Sequence, residues 1–239
     1  MLDETHWADV AGLAWRYIDL GASIIWATTG ALRAAKQRYD LAGLFAIALV
    51  SSTGGGLLRD GLFLQAGPPA LIRTPVYIAI AAAASLLVWA FAHRAQAWWL
   101  LDRVSNIADA FGLGGFAVVG MQLSAALDVN VVGAMLVGVV NAVGGGILGS
   151  LLMREVPEVF RPGHWMALAV LPGCVLYETL TVGFGVGSNL AAVPTLLLVA
   201  VLRWLSIRYS FRTSPPRGLG TTTTLRREAR ARRRLRRRR

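Results

Sequence analysis

The chain has few of the residues from which most active sites are built. It contains one cysteine, Cys174, and three histidines among 239 residues. A single cysteine excludes an internal disulfide, and no histidine stands at metal-ligand spacing from the cysteine or from an acidic residue. Nucleotide-binding loops and nucleophile-base arrangements are also absent from the sequence. We therefore expect no enzyme, no metal site and no cofactor.

Charge is scarce as well, except at the C-terminal end. The composition is 55% hydrophobic and 15% charged, which is too apolar for a soluble domain and predicts a polytopic membrane protein. The net charge of +11 comes from residues 208–239, where thirteen arginines face one acid, Glu228. We expect residues 1–207 to form the transmembrane domain and residues 208–239 to form a disordered cytoplasmic tail. Such a tail binds anionic lipid, at about 1 kcal/mol for each charge near the surface, and nucleic acid is the less favoured partner.

Seven apolar stretches have the length that a membrane-spanning helix needs. They cover residues 13–32, 41–64, 75–92, 104–123, 131–152, 165–184 and 190–207. Lysine and arginine concentrate in the linkers after the first, third, fifth and seventh stretches. Because cytoplasmic linkers carry the excess of positive charge, we predict that the N-terminus lies outside and the C-terminus in the cytoplasm. The predicted fold is an all-α polytopic membrane protein with seven transmembrane helices.

The sequence repeats itself at an offset of 90 residues. Identical residues at this offset include Asp19 and Asp109, Gly30 and Gly120, and Gly43 and Gly133. Each unit, about 15–100 and 105–188, contains three predicted helices, so the second unit must enter the membrane from the opposite side. This predicts an inverted repeat about an axis in the membrane plane. The stretch 190–207 is then an additional, seventh helix.

A glycine triplet interrupts the second and the fifth apolar stretch at equivalent places. The glycines are Gly54, Gly55 and Gly56 in the first repeat and Gly144, Gly145 and Gly146 in the second. Each glycine costs an interior helix about 1 kcal/mol relative to alanine, so we predict that both helices bend or unwind there. Irregular backbone at membrane depth needs a protein interior or a water-filled cavity, which predicts a pore; close packing of helices is the alternative. Oxygen ligands for a cation are offered nearby by Ser51, Ser52, Thr53 and Asn141.

Charged residues inside the apolar stretches are the second candidate site. They are Asp19, Arg59, Asp60, Asp109 and Glu178. Such residues normally face a bundle interior or a cavity, so we interpret them as charges that control permeation. For Arg59 the alternative is a side chain that reaches outward to the membrane surface. In the second repeat Gly149 and Ser150 replace the Arg-Asp pair, so the two halves of the site differ in charge.

These motifs resemble the prokaryotic trimeric intracellular cation (TRIC) channels. The resemblance is carried by the triplet followed by Leu-Leu-Arg-Asp, by its partner triplet in the second repeat, and by the arrangement of three, three and one helices. It implies a homotrimer with a pore in each protomer, permeable to monovalent cations and kinked at the two glycine motifs. It leaves open whether each protomer binds a lipid.

The sequence thus predicts a K⁺ channel of the inner or plasma membrane. A secondary transporter of a small zwitterion such as glycine is the alternative, because inverted repeats with interrupted helices also describe carriers. A membrane anchor with a basic recruiting tail is a third hypothesis. It leaves the charges inside the membrane without a role.

Overall fold

The computed structural model describes residues 13–65, 67–91, 98–161 and 166–209. Within these ranges the fold is helical, with seven helices of twelve residues or more. They are α1 (Leu13–Lys36), α2 (Leu41–Leu58), α3 (Val76–Phe91), α4 (Trp98–Ala126), α5 (Val131–Leu152), α6 (Ala167–Glu178) and α7 (Ser188–Arg208). Two wide π-helical segments, Arg59–Leu64 and Thr179–Gly183, extend α2 and α6, and Ala70–Arg73 is a single turn before α3. The predicted disordered tail lies outside the described residues.

Helix lengths agree with a membrane protein. Among the described residues, Leu41–Leu64, Val131–Leu152 and Ser188–Arg208 are long and apolar enough to cross a membrane. Val76–Phe91, Ala110–Ala126 and Ala167–Gly183 are apolar but shorter. The all-α fold is therefore confirmed. The number of spans and their orientation stay predictions.

The 90-residue repeat is visible in the local structure. The side chain of Asp40 caps the start of α2, and the side chain of Asn130 caps the start of α5 in the same way. Each accepts a hydrogen bond from the glycine amide three residues further on. The turns before these caps contain Arg38 and Asp128 in the left-handed conformation, with φ of 62° and 53°. Since all these positions are 90 residues apart, the offset is confirmed.

Helices α2 and α5 form the centre of the molecule. Helix α2 packs against α1, α3 and α5, while α5 packs against α2, α4 and α6; α7 packs on α4 and α6. Buried side chains gather on both sides of this centre, in one cluster around Trp26, Phe116 and Tyr177 and in another around Leu44 and Ile47. The contact between α2 and α5 therefore joins the two repeats at the centre of the molecule.

The predicted unwinding at the glycine triplets is wrong. Helices α2 and α5 both continue through their triplets, and the π-helical segment begins only at Arg59. A Cβ atom on Gly55 would lie 2.1 Å from the carbonyl oxygen of Asn141, and one on Gly145 would lie 2.1 Å from that of Ser51. The glycines let the two backbones touch, as small residues do in membrane helices. This contact offsets the low helix propensity of glycine and favours the packing alternative. A bend at the triplets stays a prediction.

Candidate functional site

Two cavities flank the crossing of α2 and α5. The first, which we call the Arg59 cavity, has a volume of about 20 Å³, enough for about one water molecule. It is lined by Arg59 and Asp60 together with residues of α1, α3 and α5. The second, the Arg33 cavity, has a volume of about 520 Å³ and is lined by Arg33, Ser51 and Ser150 and by the loop after α5. Asp60 and Ser150 are equivalent positions of the repeat, so the two cavities are related by it.

Arg59 is buried at the first position of the π-helical segment, with 5% of its surface exposed. Its Nε donates to Asp60 Oδ1 at 2.6 Å, and its Nη2 donates to Asp60 Oδ2 at 3.1 Å. Such two-point pairs hold the guanidinium in one orientation. Its Nη1 lies 3.4 Å from Asn141 Oδ1 of α5. Arg59 therefore spans the two repeats, and its burial excludes a side chain that reaches to the membrane surface.

A second carboxylate, that of Asp19 on α1, faces the same cavity. The hydroxyl of Tyr77 on α3 donates to Asp19 Oδ2, while Asp60 Oδ2 accepts the amide of Ala70 at 3.2 Å. The cavity thus holds one guanidinium and two carboxylates, a net charge of −1 when both acids are ionised. The hydroxyl of Ser23, which is buried against this cavity, has no hydrogen-bond partner in the described part of the chain. A water molecule in the cavity would supply one.

The predicted oxygen ligands are divided between the two cavities. Ser52 and Thr53 line the Arg59 cavity, and their hydroxyls donate to the Leu49 carbonyl inside α2. Asn141 lines the same cavity, and its amide nitrogen donates to the Phe116 carbonyl at 2.6 Å. Ser51 instead lines the Arg33 cavity. Although Ser51 is only 3% exposed, its Oγ has no hydrogen-bond partner among the described residues.

The Arg33 cavity contains an ion pair that sequence reasoning missed. Arg33 Nη2 donates to Glu155 Oε2 at 2.7 Å and to Ser150 Oγ at 2.9 Å. Gln37, one helical turn after Arg33, donates to the other carboxylate oxygen of Glu155. The cluster joins the end of α1 in the first repeat to the end of α5 in the second. From the sequence, Arg33 counted only as one of the positive charges after the first apolar stretch. The one sequence signal that could have pointed to this ion pair is the absence of an arginine at position 149.

The loop after α5, residues 153–161, covers one wall of the Arg33 cavity. Val156, Pro157 and Val159 line the cavity from this loop. The loop is attached at two points, by Glu155 to α1 and by Glu158 to α7, where Arg203 Nη2 donates to Glu158 Oε1 at 2.8 Å. Arg203 is buried and its partner Glu158 is exposed, whereas Arg33 and Glu155 are both about half-buried. The pair at the α7 end therefore contains a buried arginine, and the pair at the α1 end does not.

The remaining predicted site residues fall into three groups. Gly56 lines the Arg59 cavity and Gly146 lines the Arg33 cavity, while the other four glycines of the triplets form the contact between α2 and α5. Glu178 ends α6 and lines neither cavity. The side chain of Asp109 lies outside the described residues. The site is thus the crossing with its two cavities, and Tyr77 joins it without any signal in the sequence.

The ion pair between Arg33 and Glu155 should weaken in acid. Burial alone would raise the pKa of Glu155, but the hydrogen bond and charge of Arg33, with help from Gln37 and Arg161, outweigh it and place this pKa below its ordinary value. The pair therefore stabilises the folded protein above the ordinary carboxylate pKa, and this contribution is lost as the pH falls through the lowered pKa. We expect wild type to melt a few degrees above Glu155→Gln at about pH 7, since a half-exposed pair contributes about 1 kcal/mol or less.

Melting temperatures of the two purified proteins in detergent test this expectation. The difference between them should shrink as the pH falls through the lowered pKa of Glu155. A difference that persists unchanged in acid would mean that Glu155 stabilises the loop by packing rather than by charge.

Comparison with known protein sequences gives a matching family and two relatives. A family model described as Glycine transporter matches residues 16–93 and 106–181, more than half of the chain, and its two ranges begin 90 residues apart. A UPF0126 membrane protein of Deinococcus radiodurans is 33% identical over 198 residues, 82% of this chain and 88% of the relative. The UPF0126 inner membrane protein YadS of Escherichia coli K12 is 29% identical over 205 residues, 83% of this chain and 92% of the relative.

Among solved structures, the TRIC trimeric intracellular cation channel orthologue from Rhodobacter sphaeroides is similar to this chain. Its TM-score is 0.74 at 28% sequence identity, and the match covers 82% of this chain and 98% of that chain. The similarity therefore extends over almost the whole of the solved channel.

Proposed function

Because the chain belongs to the Glycine transporter family and shares its fold with a TRIC channel, we propose that it is a channel for monovalent cations, K⁺ above all, in the inner membrane. It is a multi-pass membrane protein and not an enzyme. We propose one pore in each protomer of a homotrimer, as the matched channel is trimeric.

The observation that carries this proposal is the pair of cavities on opposite sides of one helix crossing. The repeat relates the cavities, so an inverted arrangement opens one toward each face of the membrane. The excess of lysine and arginine in the linkers on the side of the Arg33 cavity supports a cytoplasmic position for this cavity. The pore would therefore run from the Arg59 cavity, past the contact between α2 and α5, to the Arg33 cavity.

Charge supports cations as the permeant species. The Arg59 cavity has a net charge of −1 when Asp19 and Asp60 are both ionised, since these two acids outnumber Arg59. Fixed negative charge in a narrow, weakly hydrated passage attracts cations and repels anions. Glu178 does not contribute to this charge, because it lines neither cavity. The guanidinium of Arg59 remains the main obstacle to a cation on this side of the crossing.

The described conformation is closed. The Arg59 cavity has room for about one water molecule, and its guanidinium is held by Asp60 and lies against Asn141. At the crossing itself the backbones touch through Gly55 and Gly145. Conduction would require Arg59 to leave its position. The π-helical segment that begins at Arg59 supports a functional role for this place, because π-helical turns are rare and are frequently found at functional sites.

A carrier for glycine is the second candidate, and the description of the family model favours it. The Arg33 cavity presents both a guanidinium and carboxylates, as recognition of a zwitterion requires. The Arg59 cavity, at about 20 Å³, has no room for an amino acid. On the outer side, at the Arg59 cavity, a carrier would therefore need a larger rearrangement than a channel.

Reconstitution of the purified protein in planar lipid bilayers tests the proposal. In a KCl gradient we expect unitary currents whose reversal potential lies close to the K⁺ equilibrium potential, because the cavity charge favours cations. A reversal potential on the chloride side would contradict cation preference. Slow, saturable glycine uptake without unitary currents would instead establish the carrier.

The role of the tail stays a proposal. Thirteen arginines from Arg208 onward suit binding to anionic lipid headgroups on the cytoplasmic side. The same currents measured on a protein that ends after Tyr209 separate the channel from the membrane anchor. A channel should still conduct, whereas an anchor that acts through its tail would lose its function.

A further inference from the structure

We propose that Arg33 is a second gating arginine, which α1 supplies to the cytoplasmic mouth of the pore in place of the arginine that the second glycine motif lacks. This inference rests on the proposed channel function. Each mouth of the pore would then contain an arginine paired with a carboxylate, although the two arginines are not equivalent positions of the repeat.

The repeat shows which arginine is missing. In the first repeat Arg59 lies against Asn141 across the crossing and pairs with Asp60. The positions related to Arg59, Asp60 and Asn141 by the 90-residue offset are Gly149 and Ser150 in the second repeat and Ser51 in the first. A Cβ atom on Gly149 would lie 2.5 Å from Ser51 Oγ, so a side chain at position 149 would require the Ser51 hydroxyl to move. The unpartnered hydroxyl of Ser51 is the counterpart of the Asn141 oxygen near Arg59.

Arg33 brings a guanidinium to this place from another helix. It donates to Ser150 Oγ at 2.9 Å, the position equivalent to Asp60, and it lines the same cavity as Ser51. Its carboxylate partner is Glu155, three residues beyond the end of α5. A guanidinium thus pairs with a carboxylate at each mouth, through Arg59 and Asp60 at one and through Arg33 and Glu155 at the other.

The attachment of the 153–161 loop gives this pair a gating role. At the α7 end the side chain of Arg203 is 3% exposed and that of its partner Glu158 is 54% exposed, whereas at the α1 end Arg33 and Glu155 are 38% and 36% exposed, so only the α7 pair contains a buried arginine. Solvent-exposed ion pairs are weak and exchange readily, while a buried arginine is costly to unpair. The loop should therefore open at its α1 end and pivot on its α7 end. Opening would expose the Ser51 hydroxyl to cations from the cytoplasm.

Bilayer recordings with matched charge variants test the role of Arg33. Arg33→Gln should raise the open probability several-fold, because it removes the latch and its charge together. Arg38→Gln removes a nearby charge that lines neither cavity and should leave the open probability as in wild type. The exchange Arg33→Glu with Glu155→Arg should restore gating close to wild type. Equal behaviour of Arg33→Gln and Arg38→Gln, or no rescue by the exchange, would overturn the proposal.

Chemical labelling tests the same gate without relying on conduction. Ser51→Cys in a Cys174→Ala background places one thiol behind the loop, and a cationic, membrane-impermeant thiosulfonate reagent is added from the cytoplasmic side. Labelling should be about tenfold faster when Arg33→Gln is also present and unchanged with Arg38→Gln. Equal labelling rates overturn the gate whatever the currents show. Faster labelling in a protein that passes no cations would support the gating role of Arg33 and contradict the proposed channel function.

Discussion

Replacement of Gly55 by alanine is expected to destabilise the assembled protein, although alanine is the better helix former. Alanine gains about 1 kcal/mol of helix propensity. Its Cβ atom, however, would lie 2.1 Å from the carbonyl oxygen of Asn141. That oxygen belongs to the backbone of α5 and cannot rotate away, so the two helices must separate. Overpacking of this kind costs about 1–3 kcal/mol or more, and the separation also loosens the contacts around it. The loss should therefore exceed the gain.

The glycine triplet provides its own control. A Cβ atom on Gly56 would have its nearest neighbour at 3.6 Å, an ordinary contact, so Gly56→Ala should keep or raise the melting temperature. Gly145→Ala should behave like Gly55→Ala, because it meets the Ser51 carbonyl at the same 2.1 Å. We expect both clashing variants to melt several degrees below wild type in detergent and to lose monodisperse assembly. If Gly55→Ala and Gly56→Ala melt alike, the backbones do not touch at the triplet.

Replacement of Arg59 by alanine is expected to increase cation permeation and to weaken its voltage dependence. The change removes the one guanidinium of the Arg59 cavity and leaves two carboxylates, Asp19 and Asp60. Lowering a free-energy barrier by about 1.4 kcal/mol raises a rate tenfold. We therefore expect conductance or open probability to rise about tenfold. A charge that crosses the whole field contributes about 2.3 kcal/mol per 100 mV. Loss of Arg59 should therefore also flatten the voltage response.

Two further variants, Arg59→Lys and Arg73→Ala, separate the effect of the charge of Arg59 from the effect of its geometry. Arg59→Lys keeps the charge but cannot form the two-point pair with Asp60 through Nε and Nη2. We expect it to lie between wild type and Arg59→Ala in both current and voltage dependence. Arg73→Ala, which removes a cation from the nearby loop outside the cavity, should leave currents as they are. All variants must elute as the same assembly, since Arg59→Ala leaves Asp60 without its partner in a mostly buried place.

Unchanged currents in an assembled Arg59→Ala protein would place the pore elsewhere. The Arg59 cavity would then be a structural ion pair between the repeats, and the path for cations would have to avoid it. The labelling of Ser51→Cys from the cytoplasmic side would still report whether the Arg33 cavity is part of a path. The two experiments together therefore locate the pore on each side of the crossing.

Features that depend on residues close together in the sequence could be predicted. Apolar stretches predict helices because length and hydropathy are local properties, and the repeat follows from comparing the chain with itself. The resemblance to TRIC channels, which these motifs carry, is confirmed by the comparison of structures. The pair Arg59 and Asp60 was also predictable as a site, because charged residues within an apolar stretch need a partner or a cavity.

The glycine triplets show where local reasoning fails. Helix propensity alone predicts a break, since three glycines cost about 3 kcal/mol relative to alanine. Propensity takes no account of what the missing side chains allow a second helix to do. The partner of Gly55 is Asn141, 86 residues away, and only the packed structure shows that their backbones meet.

By itself the sequence determines the helices, their 90-residue repeat, the membrane environment and the position of the first Arg-Asp pair, because each of these depends on composition or on spacing along the chain. Only the tertiary structure decides that the triplets pack rather than unwind, that Tyr77 joins Asp19, and that Arg33 reaches Ser150 and Glu155 more than a hundred residues away. It also decides that Glu178 stays outside both cavities. These contacts depend on which helix faces lie together, and that arrangement results from the packing of all the helices at once.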